Sequence, residues 1–264
     1  MLQEDLDYLK KHREDRVGLS TTNAWGLDPI QLGQLLGLDR CVSIIQTPYR
    51  KRIKVILKDE KVERKLNLQE FKDEFNVNYS AYLRFQSYQS LKKTLGNCPW
   101  MIRYTAFGNT ERRLYQNYQF EIEGGYVENL SIRWIDSGLG YGVFANESFE
   151  AGIYIGEFTG LVRQLHRVKP DQNEYCFHYP TRFFSWVYMA IDALDYGNET
   201  RFINHSDAPN LEPRCLLHGN LLHVAFFTKR VISVGEELTY NYGKEKFVWK
   251  NPQTYCLATS KKHR

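Results

Sequence analysis

The chain has 264 residues, room for one large domain or two modest ones, with 42% hydrophobic and 25% charged residues as in ordinary soluble proteins. Its net charge of +4 argues against direct nucleic-acid binding but is compatible with contact to an acidic surface. Five widely spaced cysteines without a CxxC pair indicate neither a zinc cluster nor a disulfide framework, so no metal site is predicted. No apolar run is long enough to span a membrane, and the first residues lack the apolar core of a signal peptide.

The first predicted elements are a helix and a strand. Asp28 is a good N-cap residue and stands before a proline at the first helical position, which predicts a helix beginning at Pro29 and running through Leu36. Residues 51–57 alternate apolar and basic side chains, which predicts a strand. The stretch YRKRIKV at 49–55 is the most basic part of this half. It indicates either a solvated strand edge or a docking surface for an acidic partner.

Two more helices are predicted before residue 100. Asn67 and Glu70 have the spacing of a capping box and precede the apolar Phe71, so a helix begins there. Residues 80–95 have helical character and are followed by glycine, which predicts a long helix ending at that point.

The pattern changes near residue 126. From there to about residue 243, short β-rich runs alternate with Gly, Pro, Asn and Asp. We therefore predict a mixed α/β N-terminal region at 1–126, which shapes substrate access or mediates association. A β-rich domain at 127–245 and a C-terminal tail at 246–264 follow it.

A glycine-rich segment, GLGYGVFA, occupies residues 138–145. Glycines at this density let the backbone approach a ligand closely or adopt positive φ. Their spacing is G-x-G-x-G rather than G-x-G-x-x-G, and no helix start follows, so a dinucleotide site is excluded. Taken alone, the segment is equally consistent with a glycine-rich hairpin.

Four further segments are informative in combination: YIGEFTG (154–160), EYCFHYP (174–180), RFINHSDAPNLEP (201–213) and GEELTYNYG (235–243). Taken alone, Glu157 in the first indicates a solvated carboxylate at a strand end. The last segment places Tyr240 and Tyr242 on the same face of a strand, because side chains two residues apart point the same way. Taken alone, the segment is also consistent with two ordinary core tyrosines.

In this order, the segments resemble the SET-domain protein lysine methyltransferases over roughly residues 128–245. They match the family's G-x-G, G-E-Y-x-G, R-F-x-N-H-S and G-E-E-L-x-Y-D-Y-G motifs, with Phe158 and Asn241 as departures. The combination is most similar to compact bacterial SET proteins of the chlamydial type. The resemblance implies an α+β class: a β-rich SET fold with a knot-like C-terminal crossing, preceded by a mixed α/β N-terminal region.

The resemblance also implies S-adenosyl-L-methionine as cofactor and S-adenosyl-L-homocysteine as product. The Asn and the backbone of the His in the third motif would hold the amino-acid and adenine ends, although Arg201 is expected to support the fold more than to touch the cofactor. The cofactor-binding residues that this implies are Gly140, Tyr141, Gly142, Tyr175, Arg201, Asn204, His205, Tyr242 and Trp249.

The implied reaction is methyl transfer to a lysine amine, with Tyr242 and Tyr240 as the catalytic residues. Tyr240, Tyr242 and Phe247 would bind the substrate lysine. Tyr242 is expected to position the reactants, because a phenol is a poor general base at neutral pH. A tyrosine at position 240 implies mainly monomethylation. Phe247 and Trp249 either close the lysine channel as a lid or only attach the tail to the domain.

The expected partner is a protein with an exposed lysine, a histone or a bacterial histone-like protein. A homodimer through the N-terminal region is left open, and no membrane association is expected. The bacterial resemblance implies a cytoplasmic protein, or one secreted into a host cell and its nucleus. The alternative function is a catalytically weak SET-like module that binds basic protein segments.

Overall fold

A computed structural model describes residues 27–38, 51–96, 106–165, 173, 175–179 and 188–242. The helices within these residues are α1 (Pro29–Leu35), α2 (Leu68–Phe75), α3 (Tyr88–Gly96), α4 (Ala106–Asn117) and α5 (Gln119–Glu123), together with a 3-10 helix, Glu199–Phe202. The first strands are β1 (Ile53–Ile56), β2 (Arg64–Leu66), β3 (Asn78–Tyr79), β4 (Arg84–Phe85), β5 (Leu130–Asp136), β6 (Gly140–Ala145) and β7 (Tyr154–Glu157). They are followed by β8 (Leu161–Leu165), β9 (Cys176–Tyr179), β10 (Tyr188–Asp192), β11 (Tyr196–Gly197), β12 (Asn204–His205), β13 (Leu211–His218), β14 (Leu221–Thr228) and β15 (Glu237–Tyr240).

The strands form small sheets rather than one continuous sheet. The largest has the order β12-β15-β6-β5-β1-β2, and the others described are β4-β8-β10-β9, β13-β14-β7 and the pair β11-β3. Because β12, β15 and β6 are neighbours, the Asn-His, tyrosine and glycine segments lie side by side. The threading of one segment beneath a loop stays a prediction.

Strands from the two sides of residue 126 pair with each other. β1 runs parallel to β5, β3 to β11 and β4 to β8. One buried cluster also contains side chains from both sides, among them Phe71 and Ile132. The N-terminal region is therefore packed into the same core as the strands that follow it, while its predicted roles in access and association stay predictions.

Local capping explains where α1 and α2 begin. The Asp28 carboxylate accepts from the Gln31 N–H at 2.8 Å, and the Gln31 side chain accepts from the Asp28 N–H at 2.9 Å. Asn67 and Glu70 make the same reciprocal pair at 3.0 and 2.6 Å. These bonds satisfy amide hydrogens that have no partner within the helix, so the predicted beginnings of both helices are confirmed.

The helix predicted over residues 80–95 is wrong in its first half. The helix is limited to Tyr88–Gly96, and residues 84–85 instead form β4. The Arg84 N–H donates to the carbonyl of Gly160 at 2.8 Å, and β4 continues in parallel register with β8. A long-range strand pair therefore replaces helical hydrogen bonds that local propensity favours.

No helix in the described part of the chain is long and apolar enough to cross a bilayer.

Candidate active site

Asn204 joins three of the sequence motifs. It lies on the edge strand β12, whose parallel neighbour β15 ends at Tyr240, two residues before Tyr242. Its side-chain amide donates to the carbonyl of Tyr141 at 3.2 Å and to a carboxylate oxygen of Glu237 at 2.9 Å. Both amide hydrogens are therefore used within the protein. Among the described residues, no donor bonds the Oδ1 atom of Asn204.

Gly142 lies close to side chains of the other segments. A Cβ atom there would lie 2.7 Å from Cδ1 of Ile135, 2.8 Å from Oε1 of Glu237 and 3.0 Å from Nδ2 of Asn204. Gly140 differs, because its φ is +75° and no described atom lies within 4 Å of a Cβ built on it. Gly142 thus makes room for the polar contacts, and Gly140 exposes backbone to open space.

Two hydrogen bonds join Tyr242 to the segment that contains Asn204 and His205. Its backbone N–H donates to Nδ1 of His205 at 3.0 Å, and its hydroxyl donates to the carbonyl oxygen of Ile203 at 2.8 Å. Because Nδ1 accepts, the ring proton is assigned to Nε2, which lies 3.5 Å from Asp207. The predicted convergence of Asn204, His205 and Tyr242 is therefore present in the fold.

Aromatic rings surround the second tyrosine. Tyr240 is 8% exposed, and its ring centroid lies 4.6 Å from that of Tyr242, 4.8 Å from Phe226 and 6.1 Å from Phe177. Phe158 extends the cluster, with its centroid 5.4 Å from that of Phe177. The phenylalanine at position 158 therefore adds another ring to this aromatic cluster. Tyr240 and Tyr242 lie at one side of the cluster.

Tyr175 and Arg201 form a separate contact at the edge of this region. The Tyr175 side chain is 42% exposed, and the guanidinium of Arg201 lies 4.1 Å from its ring centroid. Nε of Arg201 donates to the carbonyl of Ala193 at 2.8 Å, and burial lowers the pKa of this guanidinium. Arg201 therefore bonds the backbone and orients Tyr175, as a residue that supports the fold would.

The side chain of Tyr141 packs between the two halves of the chain. Its ring makes edge contacts with Trp134 at 5.2 Å and with Phe75 of α2 at 5.1 Å. Burial raises the pKa of its phenol. The middle residue of the glycine segment is therefore held by rings on its side-chain face, while its carbonyl accepts from Asn204.

Two residues that matter here were missed by the sequence analysis. Glu237 holds Asn204, as described above. Asn210 is buried; its amide donates to Glu236 at 2.9 Å and to the Glu237 carbonyl at 2.8 Å, and it accepts from the Thr239 N–H at 2.8 Å. The sequence signal for Asn210 was its place as the second asparagine of the RFINHSDAPN stretch. Its hydrogen bonds fix the start of β15.

Glu157 is not the solvated carboxylate that its segment suggests in isolation. It is 3% exposed and lies 2.7 Å from Nδ1 of His223, on the adjacent strand β14. Its backbone carbonyl accepts from the side chains of Asn198 and Thr200, at 2.9 and 3.1 Å. The YIGEFTG segment therefore packs against the 3-10 helix that leads to Asn204 and holds it by hydrogen bonds.

Phe247 and Trp249, with the whole tail at 246–264, lie outside the described residues.

Comparison with known families identifies this region. Residues 140–243 match the family model of the SET domain. The sequence is similar to the histone-lysine N-methyltransferase EZH2 of Chaetomium thermophilum, 34% identical over 138 residues, covering 46% of this chain and 9% of that protein. It is also 34% identical over 123 residues to the putative histone-lysine N-methyltransferase ASHH4 of Arabidopsis thaliana, covering 45% of this chain and 34% of that one. The matched region thus spans well under half the length of these relatives.

Solved structures give matches of the same extent. A crystal structure of KRYPTONITE with mCHH DNA, an H3(1-15) peptide and SAH is 35% identical, covers 45% of this chain and 24% of that one, and has a TM-score of 0.38. Arabidopsis thaliana SUVH6 in complex with SAM is 29% identical, covers 44% and 27%, and also has a TM-score of 0.38. The family match, together with the strand-rich architecture, confirms the predicted α+β SET fold.

Proposed function

We propose that this chain, which carries a SET domain at residues 140–243, is an S-adenosylmethionine-dependent protein-lysine methyltransferase. The observation that carries the proposal is the hydrogen bond from the Tyr242 hydroxyl to the carbonyl of Ile203, directly before Asn204. Together with the bond from the Asn204 amide to the Tyr141 carbonyl, it brings a phenol oxygen, an amide and the glycine-rich strand close to one another. Relatives named as histone-lysine N-methyltransferases support the same reaction class.

The residues present fit the cofactor. When bound, S-adenosylmethionine supplies a methyl group activated by a sulfonium. Asn204 offers an acceptor to an ammonium group, since its two amide hydrogens are already used. The open side of Gly140 lets backbone approach a ligand. Gly140, Tyr141, Gly142, Asn204 and the backbone of His205 would hold the cofactor, with S-adenosylhomocysteine as the product released.

The substrate lysine must lose a proton before it can attack. For an amine with a pKa of about 10.4, the neutral form at pH 7 costs about 4.6 kcal/mol. The rings of Tyr240, Phe226 and Phe177 lower this cost, because an apolar wall disfavours the ammonium form. A positive sulfonium nearby acts in the same direction.

Tyr242 has a positioning role in this mechanism. Its hydroxyl hydrogen is donated to Ile203, so its oxygen keeps lone pairs directed away from that bond. Such an oxygen accepts weak C–H···O contacts from a polarised methyl group and orients the incoming amine. Solvent carries the proton away, since a phenol with a pKa near 10 is a poor base at neutral pH.

The finer parts of the proposal concern substrate and product. Histones or bacterial histone-like proteins are the proposed substrates, supported by the names of the relatives. Tyr240 is proposed to restrict the product mainly to monomethyllysine, because its hydroxyl can hold a water in the space that a second methyl needs. The relatives named above are eukaryotic, so the bacterial, chlamydial-type placement and the cytoplasmic or host-delivered location stay predictions. The homodimer through the N-terminal region also stays a prediction.

The test is methyl transfer from labelled cofactor to a panel of core histones and bacterial histone-like proteins, with the modified residue identified by mass spectrometry. The proposal expects label on lysine side chains. Cofactor binding without product on any member of the panel would contradict it and favour a SET-like binding module.

A further inference from the structure

A buried carboxylate in the 3-10 helix is held from the N-terminal region. The Glu199 side chain is 6% exposed, and its Oε1 lies 3.0 Å from Nζ of Lys51, itself 11% exposed. The Tyr79 hydroxyl donates to Oε2 at 3.0 Å. Both oxygens of one carboxylate are thus occupied by residues more than a hundred positions earlier in the chain.

The backbone just before Glu199 is also hydrogen-bonded to the N-terminal region. Strand β11 pairs in parallel with β3, and the Asn78 N–H donates to the carbonyl of Asp195 at 2.9 Å. The Ser80 N–H donates to the carbonyl of Gly197 at 2.9 Å. The segment that enters the 3-10 helix is therefore aligned by main-chain bonds, and Glu199 fixes the helix itself.

The 3-10 helix passes this placement on to the candidate active site. Phe202, its last residue, packs against Phe75 with ring centroids 4.9 Å apart. Ile203 follows and accepts the hydroxyl of Tyr242, and Asn204 comes next. A rotation of the helix would therefore move the Ile203 carbonyl and the Asn204 amide together.

The energetics make the Lys51 contact decisive for this helix. A buried carboxylate is costly unless it is paired and hydrogen-bonded, so removing its cation leaves a charge that the fold relieves by moving it toward water. Lys51 belongs to the basic stretch 49–55, for which docking on an acidic partner is one prediction. Its ammonium is engaged internally by Glu199 and is not available for such docking.

We propose that Lys51 and Tyr79 are positioning residues for the cofactor-binding segment and act through Glu199. The inference rests on the proposed function, since it assigns these residues a role in the same site. It gives the N-terminal region a specific task, namely holding the 3-10 helix so that Asn204 and the Ile203 carbonyl meet the cofactor and Tyr242.

The test is calorimetric titration of the full chain with S-adenosylhomocysteine, which binds without turnover. Lys51→Met is expected to raise the Kd about tenfold, within the range of coupled positions. Tyr79→Phe, which keeps the ring and the cation, is expected to raise it by about threefold. Lys51→Arg restores most of the affinity. In Lys51→Met the KM for the cofactor rises, and kcat falls as well because the Ile203 carbonyl that accepts the Tyr242 hydroxyl moves with Asn204.

The matched control is Lys54→Met. Lys54 lies on β1 close to Lys51, but its ammonium bonds Asn129 at 2.6 Å, so its loss leaves the Kd unchanged. The double variant Lys51→Met with Glu199→Gln is expected to bind more tightly than Lys51→Met alone, because it removes the unpaired charge. Wild-type affinity in both Lys51→Met and Tyr79→Phe would overturn the inference and leave the proposed function intact. A wild-type chain that binds no cofactor would contradict both.

Discussion

The hydroxyl of Tyr242 bonds the carbonyl oxygen of Ile203 at 2.8 Å, although the two residues are 39 positions apart in the chain. The same tyrosine bonds the ring of His205 through its backbone. Two motifs that are distant in sequence therefore act as one unit.

Replacing Tyr240 by Phe is expected to shift the product from monomethyllysine toward di- and trimethyllysine. The change removes one hydroxyl and keeps the ring contacts with Phe226 and Tyr242, so the folded structure is preserved. The measurement is mass spectrometry of a methylated histone peptide over a time course. An unchanged product distribution, at equal total turnover, would rule out Tyr240 as the determinant of methylation state.

Gly142→Ala is expected to weaken S-adenosylhomocysteine binding by at least tenfold. The new methyl group would overlap Ile135, Glu237 and Asn204, all within 3.0 Å of the Cβ position, and would displace the Asn204 amide. Overpacking of this kind typically costs about 1–3 kcal/mol. Titration calorimetry measures the loss.

Gly138→Ala is the matched control for that experiment. Gly138 lies in the same segment, its φ is not positive, and a Cβ there would meet only the Asp136 carboxylate, at 3.3 Å among the described atoms. Its binding constant should stay near the wild-type value. Equal losses in both variants would show that Gly142 has no special place in the pocket.

Glu111 predicts a pH dependence of stability. Burial raises the pKa of its carboxyl from 4.5 to about 7, against the opposing effect of Arg214. A carboxyl whose pKa is raised by folding stabilises the fold fully below its unfolded pKa, and this contribution is lost as pH rises through the folded pKa. The free energy of unfolding should therefore fall by about 3 kcal/mol between pH 4.5 and 7.5 from this group.

Urea unfolding of Glu111→Gln, compared with the wild type at pH 5 and pH 8, measures this contribution. Glutamine keeps the shape without the ionisation, so the variant should lose less stability on going to pH 8. Glu147→Gln, at an exposed carboxylate, is the control and should follow the wild type. Parallel pH profiles for Glu111→Gln and the wild type would contradict the assignment.

Sequence reasoning succeeded where the interaction is local. The caps of α1 and α2 involve residues three apart, such as Asn67 and Glu70, and their residue types determine the hydrogen bonds. Strand alternation predicted that Tyr240 and Tyr242 share one strand face; their rings do lie 4.6 Å apart, but β15 ends at Tyr240 and Tyr242 lies beyond it.

It failed where the partner lies far along the chain. Arg84 and Phe85 leave the predicted helix because Gly160 and β8 offer strand hydrogen bonds. Glu237 as the partner of Asn204, and Lys51 as the partner of Glu199, depend on packing that no local pattern encodes. The same holds for Glu157, which reads as solvated and is buried against a histidine.

The most direct measurement is a paired comparison of wild type and Tyr242→Phe, with S-adenosylhomocysteine affinity and single-turnover methyl transfer determined on the same preparations. The phenylalanine removes only the hydroxyl that bonds Ile203, so cofactor affinity should change little while the transfer rate falls about a hundredfold or more. A Tyr242→Phe protein that transfers methyl groups at the wild-type rate would contradict the account.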